Sequence, residues 1–263
     1  MAFKDRPSFP ELLLPLSNEP CLKENSPSNP KVLAYSEEKE PWEKFQVVLS
    51  KKPDHVAHLL FQVSLRILQS NDQRVLFLSK TRFKSVPHPM HRLISLEEAR
   101  KSPKNPLNRL KMVYPENSME LLQYLAARSC TNDRRPNTPF ETIIVNDIAS
   151  WAETEGDLVK SLALIHNLVR HDSNTCALVS IIPKDDVLSL AFVKNQLKVF
   201  ANQFWTLDQR DIDAKDTHYP ANLRGHPHFS LHCDGSKLAY KFMYLVDQMQ
   251  YFPLSVQKHK PEC

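Results

Sequence analysis

The chain has 263 residues, 41% hydrophobic and 24% charged, with a formal net charge of +4, which is enough to bury one full-sized core in an ordinary soluble composition. No stretch reaches the roughly 18 to 20 consecutive apolar residues of a membrane-spanning helix, and the opening Met-Ala-Phe-Lys-Asp-Arg reads as too charged for a signal peptide, so the expected location is the cytosol or nucleus. Five widely spaced cysteines with no Cys-x-x-Cys pair read as reduced packing residues, and only three glycines, Gly156, Gly225 and Gly235, constrain any function that needs a glycine-rich phosphate loop.

Residues 1–42 carry prolines at 7, 10, 15, 20, 27, 30 and 41, which predicts a largely irregular N-terminal arm. Within it, Ser8-Phe9-Pro10-Glu11-Leu12-Leu13-Leu14-Pro15-Leu16 is apolar enough to dock, either on its own domain or on a partner. A single α/β domain is expected over 43–250, followed by a C-terminal tail, 251–263. Phe45 to Leu49 is the first strand. After Pro53, the spacing of Val56, Leu59, Leu60, Val63, Ile67 and Leu68 predicts a helix. Arg74 to Ser79 is a second strand, and Lys80 to Pro106 a basic surface excursion with a short helix near 95–101. Leu110 to Tyr114 is a third strand. Pro115 to Ser118 then opens a helix in which Met119, Leu122 and Leu125 share a face.

After a polar loop, 131–139, Thr142-Ile143-Ile144-Val145 has the two-sided apolar character of a central parallel strand. A helix over 154–170 with Leu158, Leu162, Ile165 and Val169 inward, a strand from Cys176 to Ile182 and a helix from Leu188 to Val199 follow. Three short strands, 203–207, 227–233 and 237–244, end the chain, the last two joined by a turn at Asp234-Gly235-Ser236. The alternation predicts a mostly parallel sheet flanked by helices and closed by an antiparallel C-terminal edge.

In such a sheet the first strand-to-helix turn is the place for a phosphate. A working loop reads G-x-x-x-x-G-K-[ST]. Here the stretch is Ser50-Lys51-Lys52-Pro53-Asp54-His55-Val56-Ala57. The glycines are replaced by Ser50 and His55, the lysine by Val56 and the hydroxyl by Ala57. No nucleotide cofactor is therefore expected, and Lys51 and Lys52 read as solvated loop lysines. The fourth strand ends in Asn146 and Asp147, as the aspartate-bearing strand of an ATPase does. Without a lysine or hydroxyl partner, both are read as structural or interface-forming, with Asp147 bonding to the turn at 52–54.

His226, His228, His232 and Cys233 lie close in sequence, but on a strand 228 and 232 share one face while 233 faces away, so no metal site is predicted. Cys176 and Cys233 lack an oxyanion loop and read as inert thiols, leaving no catalytic residue to name. For nucleic acid the candidates are Lys80, Arg82 and Lys84, with Phe83 placed either to stack on a base or in the core, and Lys184, Lys194 and Lys198 after the fifth strand.

The order of a degenerate phosphate-loop strand and helix, then Arg74-Val75-Leu76-Phe77-Leu78-Ser79-Lys80, then Leu110-Lys111-Met112-Val113-Tyr114-Pro115, then Ile143-Ile144-Val145-Asn146-Asp147, resembles divergent paralogues of the eukaryotic RecA-like recombinase. Within that family it is similar to the subunit paired with a SWIM-type zinc-finger protein in Shu-type complexes, and to a nematode paralogue. The resemblance covers about 43–245. It implies a RecA-like fold and a nuclear pseudo-ATPase that joins a second paralogue or a SWIM-domain protein. Such a complex would act on recombinase filaments on single-stranded DNA as a mediator of homologous recombination. The alternative is a catalytically empty RecA-like scaffold subunit of an Elongator-type complex for transfer RNA modification.

Overall fold

The computed structural model describes residues 43–51, 53–70, 73–83, 105–130, 140–184, 188–210, 227–234, 238–245 and 250–258. The elements are β1 (Phe45–Ser50), α1 (Pro53–Ser70), β2 (Val75–Ser79), β3 (Leu110–Val113), α2 (Ser118–Cys130), β4 (Thr142–Asn146), α3 (Glu155–His171), β5 (Cys176–Ile181), α4 (Leu190–Phe200), β6 (Gln203–Arg210), β7 (His228–Cys233), β8 (Leu238–Leu245) and β9 (Gln250–Lys258). Short 3₁₀ turns precede β3 at Pro106–Arg109 and follow β4 at Ile148–Ser150.

All nine strands form one sheet in the order β3-β2-β4-β5-β1-β6-β7-β8-β9. Pairing is parallel from β3 to β6 and antiparallel from β6 to β9. The inner strands FQVVLS, VLFLS, TIIVN and CALVSI are buried along their whole length. Such continuous apolar runs can lie only where both faces of a sheet are covered. Alternate strand residues accordingly serve two cores. Val48, Phe77, Ile144 and Leu178 pack with Val56, Leu60 and Val63 of α1 on one face. Val47, Val145 and Val179 pack with Leu158, Leu162 and Ile165 of α3 and Val193 and Leu197 of α4 on the other.

The helix ends are set by local chemistry. At the start of α3, Thr154 Oγ1 accepts from the Asp157 N–H at 3.3 Å while the Asp157 carboxylate accepts from the Thr154 N–H at 3.2 Å, a reciprocal capping box. The Thr154 side chain is also what holds the Asp157 carboxyl below its usual range. Ser189 caps α4 by accepting from the Phe192 N–H at 3.2 Å.

The mostly parallel sheet with an antiparallel C-terminal edge is the architecture expected from the alternation of elements, and the four inward residues of α3 are all buried. Two expectations are corrected. In α2 the buried residues are Leu121 and Leu125, whereas Met119 is 61% exposed. The reason is phase: at about 100° per residue, Met119 lies roughly 200° from Leu121 and so points outward. The segment read as a C-terminal tail carries most of β9, which pairs antiparallel with β8 from Leu238↔Lys258 to Leu245↔Gln250. Pro253 within it hid the strand pattern, and a proline is tolerated there because β9 is the last strand of the sheet. The arm 1–42, the helix near 95–101 and the turn residues Gly235 and Ser236 lie outside the described residues.

Candidate functional site

The site is the carboxyl edge of the parallel strands, where β1, β2, β4 and β5 all end. At β1 the strand stops at Ser50 and α1 starts at Pro53, so two residues separate them. A phosphate-wrapping loop needs a longer connection with free amides. Here the first turn of α1 occupies that stretch. Val56, at the lysine position, is fully buried in the core. His55, at the second glycine position, has its ring 4.7 Å from that of Phe229 and 4.5 Å from that of Tyr244. One turn on, His58 Nδ1 and the Tyr244 hydroxyl share a hydrogen bond. The start of α1 is thus fastened to β7 and β8 by aromatic and imidazole rings. Ser50 is buried and Lys51 exposed, while Lys52 lies outside the described residues.

At β4 the chain turns sharply. Asp147 adopts the left-handed conformation, φ 51° and ψ 68°, the one non-glycine residue with positive φ among those described. Aspartate is among the few residues that tolerate it. Its N–H donates to Ser180 Oγ at 2.7 Å, and its carboxylate accepts from the Ile182 N–H at 3.1 Å. Burial pushes the Asp147 carboxyl up to about 6, opposed by the Ile182 N–H and by the positive charges of Lys184 and Lys80. Asn146 is buried, its amide donating to Ser79 Oγ at 3.2 Å and its carbonyl accepting from Ser180 Oγ at 3.4 Å. The expected bond from Asp147 to the turn at 52–54 is replaced by bonds to β5, because β5 lies between β4 and β1.

Sequence reasoning missed Ser79 and Ser180. The available sign was a polar residue near the end of each of three apolar strands, at levels the sheet register aligns: Ser79 pairs with Asn146, and Val179 pairs with Val145.

The basic candidates separate into two groups. Lys80 donates to the Ser150 carbonyl at 2.9 Å, and the Arg82 guanidinium sits 5.5 Å from the centre of the Tyr114 ring. Burial raises the Tyr114 hydroxyl above its ordinary value, with Arg82 opposing. Phe83 packs on Phe61 at 5.0 Å, Phe77 at 5.9 Å and His58 at 6.0 Å, which places it against the core, the second of its two expected positions. Lys184 is half-buried beside Asp147. Lys194 and Lys198 are exposed one turn apart on α4, a helix with no acidic residue. Lys84 lies outside the described residues.

Elsewhere, His228 is buried and His232 Nδ1 lies 3.9 Å from the Asp208 carboxylate, while Cys233 faces the opposite core. No group of three metal-ligating side chains occurs among the described residues. Cys176 is buried, its Sγ donating to the Glu141 carbonyl at 3.4 Å.

No family model matches the sequence, and no curated protein matches it. Solved structures do match. A RadB recombinase aligns at 14% identity with a TM-score of 0.49, covering 79% of this chain and 89% of that one. A KaiC-like protein from the hyperthermophilic archaeon Pyrococcus horikoshii aligns at 10% identity with a TM-score of 0.48, covering 80% and 88%. The sheet of this chain, with β5 between β1 and β4 and the antiparallel strands beyond β6, is mostly parallel and closed by an antiparallel edge.

Proposed function

We propose that this chain is a non-catalytic, RecA-like subunit that works through partners in homologous recombination. The observation that supports this reading best is the β1–α1 junction. Two residues separate the strand from the helix, and a fully buried Val56 stands where a phosphate-binding lysine would be. A phosphate needs free amides and a cation at that point. In this reading the chain binds no nucleotide, heterodimerises with a second recombinase paralogue or a SWIM-domain protein in the nucleus, and stabilises or remodels recombinase filaments on single-stranded DNA. The recombination role rests on the sequence resemblance around 74–80, 110–115 and 143–147. The sheet edge around Asp147 is the proposed partner contact, and Lys194 and Lys198 the proposed strand contact.

The test is affinity purification of the tagged full chain from its own cells with mass spectrometry. Recovery of a second paralogue or a SWIM-domain protein together with the recombinase supports the reading. Recovery of a ring of related subunits with transfer RNA, and no recombinase, overturns it in favour of the Elongator-type scaffold. A rise in melting temperature of the purified chain with magnesium-ATP would refute the empty phosphate site.

A further inference from the structure

α3 and α4 follow the neighbouring parallel strands β4 and β5 and pack on the same face of the sheet. Both therefore start at its carboxyl edge and run back side by side. One contact sets their relative level: the His166 ring of α3 lies 6.1 Å from the Phe200 ring of α4. Arg170 is one turn past His166 on the same stripe of α3. Lys198 and Lys194 precede Phe200 on α4. At about 1.5 Å per residue, Lys194, Lys198 and Arg170 are spread over roughly 15 Å along the helix pair. All three are exposed, and among the described residues no carboxylate pairs with any of them. Asp172, the acid nearest to Arg170 in sequence, is turned back on its own loop. One of its oxygens accepts from the Asn174 N–H at 2.9 Å and the other from the Thr175 hydroxyl at 2.7 Å. The acids of α3, Glu155 and Asp157, lie in its first turn, about 20 Å from Arg170. Arg170 also balances the C-terminal dipole of α3, a role that needs no alignment with α4.

We infer that the strand-contact surface continues from α4 onto α3, with Arg170 as a further phosphate contact. The inference rests on the reading of Lys194 and Lys198 as the strand contact. Its ligand is the phosphate backbone of a single nucleic-acid strand, laid along α4 and crossing to the end of α3. A guanidinium suits that end, because its planar fork can hold two oxygens of one phosphate. None of the exposed residues of α4 is aromatic, so the helix offers bases no stacking platform and the contact is to the backbone, indifferent to sequence. The span calls for at least about four nucleotides, the short end of single-strand site sizes.

The test is binding of a labelled oligo-dT to the full chain, alone and in complex with the partner that co-purifies with it, measured against salt. Arg170→Ala should make the slope of log affinity against log salt shallower by about 0.7, and by about 2.1 when combined with Lys194→Ala and Lys198→Ala. Arg170→Lys keeps the charge and should keep the slope of the unaltered chain. A residue that serves only the helix dipole would lower the melting temperature in Arg170→Ala and leave the slope alone. Arg170→Gln, uncharged but of similar length, is the second variant should Arg170→Ala fold poorly. An unchanged slope in both uncharged variants, with the Lys194→Ala, Lys198→Ala pair still shallower, would overturn the extension onto α3 and leave the α4 contact standing. No change in any variant, or no oligo-dT binding by chain or complex, would overturn both. Loss of labelled poly-glutamate binding in Arg170→Ala, with oligo-dT binding untouched, would assign the surface to an acidic protein and overturn the inference as well.

Discussion

The carboxylate of Asp147 accepts the N–H of Ile182 at 3.1 Å, joining the end of β4 to the segment that leaves β5. That bond comes with a buried charge. The folded-state value of about 6 lies above the ordinary 3.8, chiefly because burial penalises the ionised form. A raised acid binds its proton more tightly in the folded state, so ionised Asp147 costs stability above about pH 6, on the order of 3 kcal/mol at most. The cost is relieved as pH falls from about 6 toward 3.8. Asp147→Asn keeps an acceptor for Ile182 and tolerates the left-handed backbone. It should therefore raise stability at pH 7.5 by about 1 to 3 kcal/mol in urea unfolding, with the gain vanishing near pH 4. A loss of stability at pH 7.5 would mean that Lys80 and Lys184 outweigh the desolvation.

Restoring the phosphate-loop lysine by Val56→Lys should fail. The side chain is fully buried among Leu59, Leu60 and Val63, where an unpaired ammonium costs several kcal/mol. We expect a loss of about 3 kcal/mol or more in urea unfolding and no rise in melting temperature with magnesium-ATP. A stable variant that gains a nucleotide-dependent shift would show that the first turn of α1 can reopen into a loop.

Much of this fold was legible because its inner strands are apolar on both faces, a pattern that leaves little choice but a covered parallel sheet. The α3 stripe was equally plain, with Leu158, Leu162, Ile165 and Val169 at regular helical spacing. In α2 the apolar residues 119, 121, 122 and 125 fit two phases, and only packing against the sheet decides for Leu121 and Leu125. The site was half legible. Asn146 and Asp147 announced a strand end, but Ser79 and Ser180 become their partners only through strand adjacency, which no local pattern encodes. The His58–Tyr244 bond joins residues 186 apart in sequence and was invisible for the same reason.

Trp205 and Gln46 offer a test of the junction between the parallel and antiparallel parts of the sheet. The indole N–H donates to Gln46 Oε1 at 3.0 Å, and both residues are fully buried on the adjacent strands β6 and β1. Trp205→Phe removes the donor and leaves a buried amide oxygen short of a partner, which costs about 1 to 3 kcal/mol beyond the lost packing. Replacing Gln46 by Leu as well should recover part of that loss, and urea unfolding of the single and double variants measures it. Strictly additive losses would show that the bond contributes nothing at this junction.

The strand-contact surface is decided by salt dependence. Lys80 is engaged by the Ser150 carbonyl and Arg82 by the Tyr114 ring, whereas Lys194 and Lys198 project from one face of α4 with no acidic residue on that helix. Each lysine that neutralises a phosphate of a single strand adds about 0.7 to the slope of log affinity against log salt. Replacing Lys194 and Lys198 together by Ala, in the complex with its partner, should therefore make the slope for a labelled oligo-dT shallower by about 1.4. It should weaken binding to all sequences alike, because phosphate contacts carry no base information. Replacing Lys80 and Arg82 should leave the slope nearly unchanged, since the Ser150 carbonyl and the Tyr114 ring hold their heads against the folded chain. The opposite pattern would move the strand to the carboxyl end of β2 and return α4 to ordinary solvated surface.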